Sequence, residues 1–448
     1  MGTFIPREDK MACASRWLLV FCLTVPCSRA RAADEVKKPD EPRIEAGKSV
    51  GPTASFIRRE SAEKDWQVVR ENEAVRTGDL LLTGTRGSLE SADGAVRLSA
   101  IGELAGLSSV PVIETAIVLH EPKNVDLDFT LDRGRVELLN TKKEGAAHVR
   151  VRIGDRDAVV SLTQPGDRLA LEVYGRWPRG VRFEKKPKPG TGPAIAVVAL
   201  ALKGEIDVKG KNHHVTLKAP PGPALLYVHN LEDEMPSPRH LDSLPDWAKD
   251  GGRPEETAKM QALAKRFRAT ATSKSVHQAI EEILNSEDRE ERQIGMYLLA
   301  ATDDLPTMWK VMRDTRDLEL WDAGVVALRH WIGRCPGQDQ KLYEGLVEKA
   351  KLKPVHAETV LQMLHSFGDD QVAQPETYQM LIGYLQHELR PIRGLAYWHL
   401  QRLVPEGKKL GYDPLASREE REKAVEEWRK LVPPGKLPPE RKPEGSGK

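Results

Sequence analysis

The sequence predicts a chain of two parts, an antiparallel β sandwich or β-roll followed by an α-solenoid of helix pairs. Three observations carry this. Apolar residues recur with period two up to about residue 229, the period becomes 3.6 beyond about residue 257, and prolines and glycines cluster between. At 448 residues the chain exceeds the ~250–300 at which a single core stops growing, so two cores are expected. With 40% hydrophobic and 30% charged residues the composition can fill both, and it excludes a wholly disordered chain.

Residues 1–32 read as a secretory signal. Basic Arg16 precedes an apolar run from Trp17 to Pro26, and Ala30-Arg31-Ala32 forms a small-residue cleavage pattern before Ala33. Met11 stands at the usual start distance from that run. The run is about half of the ~20 residues needed to cross a bilayer, which argues against an anchor. Thr24-Val25-Pro26-Cys27 resembles a lipobox poorly, because proline precedes the cysteine. The expected location is therefore periplasmic or secreted, with no transmembrane anchor after cleavage.

Cys13, Cys22 and Cys27 leave with the signal, so Cys335 remains alone and no internal disulfide can form. It lies in Gly333-Arg334-Cys335-Pro336-Gly337 with neither a His partner nor a CxxC pattern, and reads as an unreactive thiol of a loop or helix end. Removing five Lys or Arg and two Asp or Glu leaves 63 basic against 65 acidic residues. That balance offers no broad basic face for nucleic acid.

The charged, proline-containing stretch 33–50 is expected to be a disordered leader. A β-rich domain should span 51–229. Val125, Leu127, Phe129 and Leu131 alternate with Asp126, Asp128 and Thr130, so one strand face is expected buried and the other wet. Val149, Val151 and Ile153 repeat the pattern around Arg150 and Arg152, as do Leu169, Leu171 and Val173. Asp93-Gly94, Gly154-Asp155 and Lys209-Gly210-Lys211-Asn212 supply turns between such runs. Pro187, Pro189 and Pro193 interrupt the alternation and mark a loop.

A linker is expected over 230–256, where Pro236, Pro238, Pro245, Pro254, Gly251 and Gly252 gather, with few contacts crossing it. The helical repeat domain should cover 257–432 and a disordered tail 433–448. Ile294, Tyr297, Leu298 and Ala301 share a helical stripe, as do Trp321, Val325, Leu328 and Ile332. The first helices of successive pairs align on Gly295, Gly324, Thr359 and Gly394, with partners over Leu305–Met312, Leu342–Ala350 and Tyr378–Leu385. Ser417 and Glu420 open a last helix as a capping box, and Ala424, Trp428 and Leu431 give it one apolar face, as in an end cap.

Gly78-Asp79-Leu80-Leu81-Leu82-Thr83, Asp93-Gly94-Ala95-Val96-Arg97-Leu98 and Leu131-Asp132-Arg133-Gly134-Arg135-Val136 follow in an order that resembles the FecR-like periplasmic domain, over about residues 66–164. That resemblance implies a β-rich module outside the cytoplasmic membrane; the family's best-known members relay a signal from an outer-membrane receptor to a sigma factor. The sequence departs from the pattern in showing neither a cytoplasmic anti-sigma segment nor a full transmembrane helix. Residues 287–404 resemble HEAT-like repeats in pairing and length. The tail Gly411-Tyr412-Asp413-Pro414, through Trp428-Arg429, to Gly435-Lys436-Leu437-Pro438-Pro439 resembles those of exported planctomycete proteins.

No HExxH, GxSxG, Walker loop, GxGxxG or CxxC pair occurs, so no catalytic, cofactor-binding or metal-ligating residue is assigned. His213 and His214 are adjacent and would point to opposite faces of a strand, as hairpin residues do. His330 has only Val326, Ala327, Gly333 and Arg334 three and four positions away, and reads as surface or groove packing. Trp321, Trp331 and Trp398 read as core between helices, and Arg150, Arg152 and Arg156, interleaved with Asp155 and Asp157, as a solvated face.

The function expected is that of an exported, non-enzymatic binding or scaffold protein. Its β module would serve envelope recognition or sensing, and its helical repeats would hold an envelope protein partner, with a glycan as a second ligand class and no cofactor. The alternative is a carbohydrate-active or other envelope enzyme with scattered carboxylates on the β domain, which a pocket holding two buried carboxylates would favour. N-terminal sequencing of exported material should begin at Ala33; an intact Met1 or Met11 on most of that material would contradict the signal.

Overall fold

The computed structural model describes residues 42–50, 56–102, 113–188, 190–230, 236–245, 248–249 and 254–439. The signal over 1–32, the first part of the expected leader and the end of the expected tail lie outside them. The described chain is a large, mostly antiparallel β sheet followed by a helical region. No helix among the described residues is long and apolar enough to cross a membrane.

The strands in chain order are β1 (Glu45–Ser49), β2 (Ile57–Arg59), β3 (Gln67–Val68), β4 (Ala74–Arg76), β5 (Leu80–Thr83), β6 (Arg86–Ser91), β7 (Val96–Ile101) and β8 (Thr115–Leu119). They continue as β9 (Leu127–Asn140), β10 (Ala147–Ile153), β11 (Arg156–Leu162), β12 (Arg168–Arg176), β13 (Ala194–Lys203), β14 (Glu205–Gly210), β15 (His214–Lys218), β16 (Pro223–His229) and β17 (Arg239–His240). β structure thus begins before residue 51, inside the stretch expected to be a leader. Ala46 and Ser49 of β1 are buried as it pairs with β4 and β6, so a short run with small side chains gains order from its partners rather than from its own apolar content.

β9 organises the sheet. Its first half pairs antiparallel with β8 and parallel with β10, while the half beginning at Gly134 pairs antiparallel with β7 and β12. The change of partners occurs at Gly134, whose φ of +94° an L side chain rarely adopts. A Cβ there would stand 2.4 Å from Thr115 Cα, so the close crossing of β8 and β9 needs glycine.

Leu127, Phe129 and Leu131 enter the common β core with Leu81, Leu98, Leu138 and Leu169, as the period-two pattern requires. The opposite face of β9 is not wet. Asp128 is buried beneath Arg152, whose Nε and Nη2 each donate to it at 2.8 Å, with Arg150 Nη1 at 3.8 Å, and Thr130 is buried against His120 at 2.7 Å. Arginine cover replaces water on that face. Part of the expected linker also packs back: Leu241, Leu244 and Ala248 lie over Ala170, Leu200 and Ala224.

The helices are α1 (Pro254–Ser273), α2 (Val276–Leu284), α3 (Arg289–Ala301), α4 (Leu305–Asp314), α5 (Leu318–Gly333), α6 (Gln338–Glu348), α7 (Pro354–His365), α8 (Asp369–Val372), α9 (Pro375–Tyr384), α10 (Arg390–Leu403) and α11 (Arg418–Leu431), with a 3-10 turn at Pro405–Leu410. Ser275, Asp288, Asp304 and Asp317 cap α2 to α5 by accepting from backbone N–H groups, and Ser417 and Glu420 form the expected capping box on α11. Consecutive first helices are neighbours, α3 on α5 and α10 on α7. Gly295 and Gly324 let Leu284 and Met312 of the preceding helices approach within 2.8 and 2.7 Å of where a Cβ would sit, and Gly394 admits the ring of Trp321. Thr359 differs, its hydroxyl donating to Val355 O.

Candidate functional site

The expectation of sparse contact between the two halves does not hold. Three adjoining zones connect them. Ile57, Leu82 and Trp177 of the β half belong to the same apolar cluster as the helical core.

The central zone is ionic. Glu114, just before β8, is buried, and its Oε1 accepts from Arg133 Nε at 2.6 Å and from Arg334 Nη2 at 2.5 Å. Its Oε2 faces His330 Nε2 at 3.8 Å. Arg133 also bonds Asp132, while Arg334 Nη1 and Trp331 Nε1 donate to Asp303 Oδ1 at 3.2 and 2.8 Å, and Arg59 lies 3.7 Å from its Oδ2. Three arginines and three carboxylates balance around a histidine.

Local structure aims these groups. Asp303 follows the C-cap of α3 in the left-handed region, φ +64°, a conformation Asp tolerates at a helix end. Arg334 is the C-cap of α5 and His330 lies in its last turn. Carbonyls left unpaired at these helix ends accept donors from the β half: Ala301 O from Arg133 Nη2 at 3.1 Å, Thr302 O from Trp66 Nε1 at 3.3 Å, and Ile332 O from Trp177 Nε1 at 3.0 Å. Cations gathered there also suit the negative end of the helix dipole. At Gly175 of β12 and Gly333 of α5 the backbones touch, and a Cβ on Gly175 would sit 2.1 Å from Gly333 O.

Burial opposes the Glu114 carboxylate, but Arg334 and Arg133, with a smaller share from His330, outweigh it and hold the group at about 2. Burial pushes His330 down to about 4 against the attraction of Glu114, and Arg334 and Arg133 push the same way. The ring is neutral at pH 7, which preserves the charge balance.

Beside the ionic zone is a cleft of about 540 Å³, open solvent included, between β2, β3 and β5 on one side and α1, α2 and α3 on the other. Its lining is apolar, with Phe56, Val68, Leu82, Leu263, Phe267 and Ile294 prominent, and its polar members are Thr83, Thr85 and Arg268. The two carboxylates that burial raises, Asp79 and Asp322, lie in different halves and neither lines it. The third zone is the loop after β12, which crosses α5, α6 and α7.

Of the residues singled out from sequence, His330 and Trp331 enter the ionic cluster, His330 half-buried at the junction opposite Glu114 and Trp331 on Asp303. Glu114, the partner of His330, is more than two hundred residues away in the chain, so no helical spacing could reveal it. Trp321, Trp331 and Trp398 are buried between helices. His214 sits on the exposed β14–β15 hairpin beside Asp207, and Cys335 is a partly exposed thiol in no disulfide just after α5. No group of three or more potential metal ligands occurs among the described residues. Glu114 and Arg133 were missed, although Asp132-Arg133-Gly134-Arg135 inside a run bounded by Leu131 and Val136 is itself a signal of buried charge. Comparison of the chain with protein-family models, with curated proteins and with solved structures gives no match.

Glu114→Gln takes the shared carboxylate from two largely buried arginines, each of which keeps a second one in Asp132 or Asp303, and should cost about 1 to 3 kcal/mol of unfolding free energy, read by urea titration at pH 7. Because the folded pKa of His330 lies below its ordinary value, its neutral burial contributes fully above about pH 6.5 and is lost as pH falls toward 4. Glu114 adds a second loss between about 4.5 and 2. His330→Gln should reduce the slope of stability between pH 6.5 and 4 by up to about 1.4 kcal/mol per pH unit. An unchanged slope would exclude His330 as a neutral buried member.

Proposed function

We propose that the chain is an exported binding or scaffold protein without catalytic activity, in which a FecR-like β sandwich mounts a solenoid of helix pairs that holds an envelope protein partner. The observation that carries this reading is the destination of the buried charge. Glu114, Arg133, Arg334 and Asp303 are engaged with one another across the two halves, which fixes the helical region on the β half instead of facing a substrate. The apolar lining of the cleft supports the same reading, because a hydrolytic site needs convergent acid and base groups.

Stacked first helices support the solenoid, and β9, passing from one set of ladders to another across a shared core, supports the sandwich. The near balance of acidic and basic residues supports a protein over a nucleic acid as partner.

The test is affinity capture from envelope extract on the immobilised full chain, with retained proteins identified by mass spectrometry and a glycan panel assayed in parallel. A retained protein that rebinds in purified form, together with an absence of glycan turnover, is the expected result. Turnover of a glycan that is lost in Asp79→Asn or Asp322→Asn would establish the enzymatic alternative.

A further inference from the structure

The loop between β12 and β13 leaves the sheet, turns at Pro178–Val181 with Gly180 in the left-handed region, φ +81°, and lies as a strap across the C-terminal ends of α5 and α7 and the first turns of α6. Side chains turn in and out along it. Trp177, Val181 and Phe183 pack against the helical core, while Arg179, Arg182 and Glu184 are exposed. Trp177 stacks on His365 with ring centroids 4.3 Å apart, and Phe183 meets the edge of the same ring at 5.9 Å and Tyr343 at 5.5 Å. The strap's backbone is read as well: His365 Nδ1 donates to Val181 O at 3.2 Å and Gln340 Nε2 to Glu184 O at 3.2 Å. Lys185 closes the run on Glu358 at 2.5 Å.

Aromatic anchors in pockets, main-chain carbonyls bound by side chains and a terminal ion pair are how a groove holds a peptide segment. The floor beneath is only partly satisfied. Gln338 is 1% exposed, and neither its Nε2 nor its Oε1 has a hydrogen-bond partner. Asp339 Oδ2 and His365 Nε2, equally buried, face each other at 3.2 Å. A buried polar group left unpaired is costly, and the Gln338 amide, at the start of α6, is such a group.

We infer that the helical half carries a cleft for peptide segments at α5, α6 and α7, and that residues 177–185 occupy it as an intramolecular ligand. The partner it fits is a protein segment of the same chemistry: an aromatic anchor followed by a turn, a second aromatic about six residues on and a basic residue soon after. A polar side chain able to reach Gln338 would let such a segment displace the strap. This rests on the reading that the helical half holds a protein partner, and adds which surface does so and what blocks it.

The probe is a fluorescein-labelled peptide of residues 176–188, titrated by anisotropy into the full chain. The wild-type cleft is filled in cis at high effective concentration, so Trp177→Ala combined with Phe183→Ala should bind the peptide about 10-fold or more tighter than wild type. A peptide carrying alanine at both aromatic positions should not bind. Because that variant removes junction contacts and its fold is to be checked by circular dichroism, Lys185→Glu serves as a second one. It changes a half-exposed position and should raise peptide affinity about threefold. If folded variants bind the peptide no better than wild type, the strap is mere packing and the inference fails. That result, with a partner still captured from extract, would leave the proposed function standing. Peptide binding without any captured partner would do the reverse.

Discussion

The last carbonyls of an α-helix have no partner within the helix, and at the ends of α3 and α5 the β half supplies the missing donors. Ala301, Thr302 and Ile332 each offer a carbonyl, and Arg133, Trp66 and Trp177 each answer with an N–H. The rest of the junction follows from that pairing. Bringing two arginines to helix ends buries positive charge, and Glu114 and Asp303 are the carboxylates that make such burial tolerable. Because His330 is neutral, the set balances at neutral pH and loses its balance in acid.

This arrangement makes the link between the halves spatial rather than covalent. Among the described residues, β3 lies against α1 and β12 against α5, Arg133 of β9 reaches the end of α3, and Ile57 of β2 and Leu82 of β5 join the helical core. A helical region alone would present both edges of its helix ends to water. Here one edge is covered by the sheet, and a strap from β12 extends that cover over α6 and α7.

The period change from two to 3.6 and the capping boxes made the order of β and α parts legible, because both are local effects of backbone geometry. Leu127, Phe129 and Leu131 could be placed inside from alternation alone. What alternation could not give was the fate of the other face: Asp128 and Thr130 read as wet and are buried, since Arg150, Arg152 and His120 arrive from other strands. The candidate site was hidden for the same reason. Glu114 and Arg334 are 220 positions apart, and nothing local to either residue marks the other. Strand β1 escaped notice because Glu45–Ser49 has almost no apolar side chains and takes its order from β4 and β6.

The central claim is that the two halves open as one body because the junction joins their cores. Native-state hydrogen exchange of the full chain across a urea series tests it directly, comparing core amides of β9 with those of α5. The account predicts that both exchange through one common opening, with equal free energy and equal denaturant dependence. Exchange of α5 through an opening of distinctly lower free energy, while β9 stays protected, would contradict it and return the halves to independent domains on a linker.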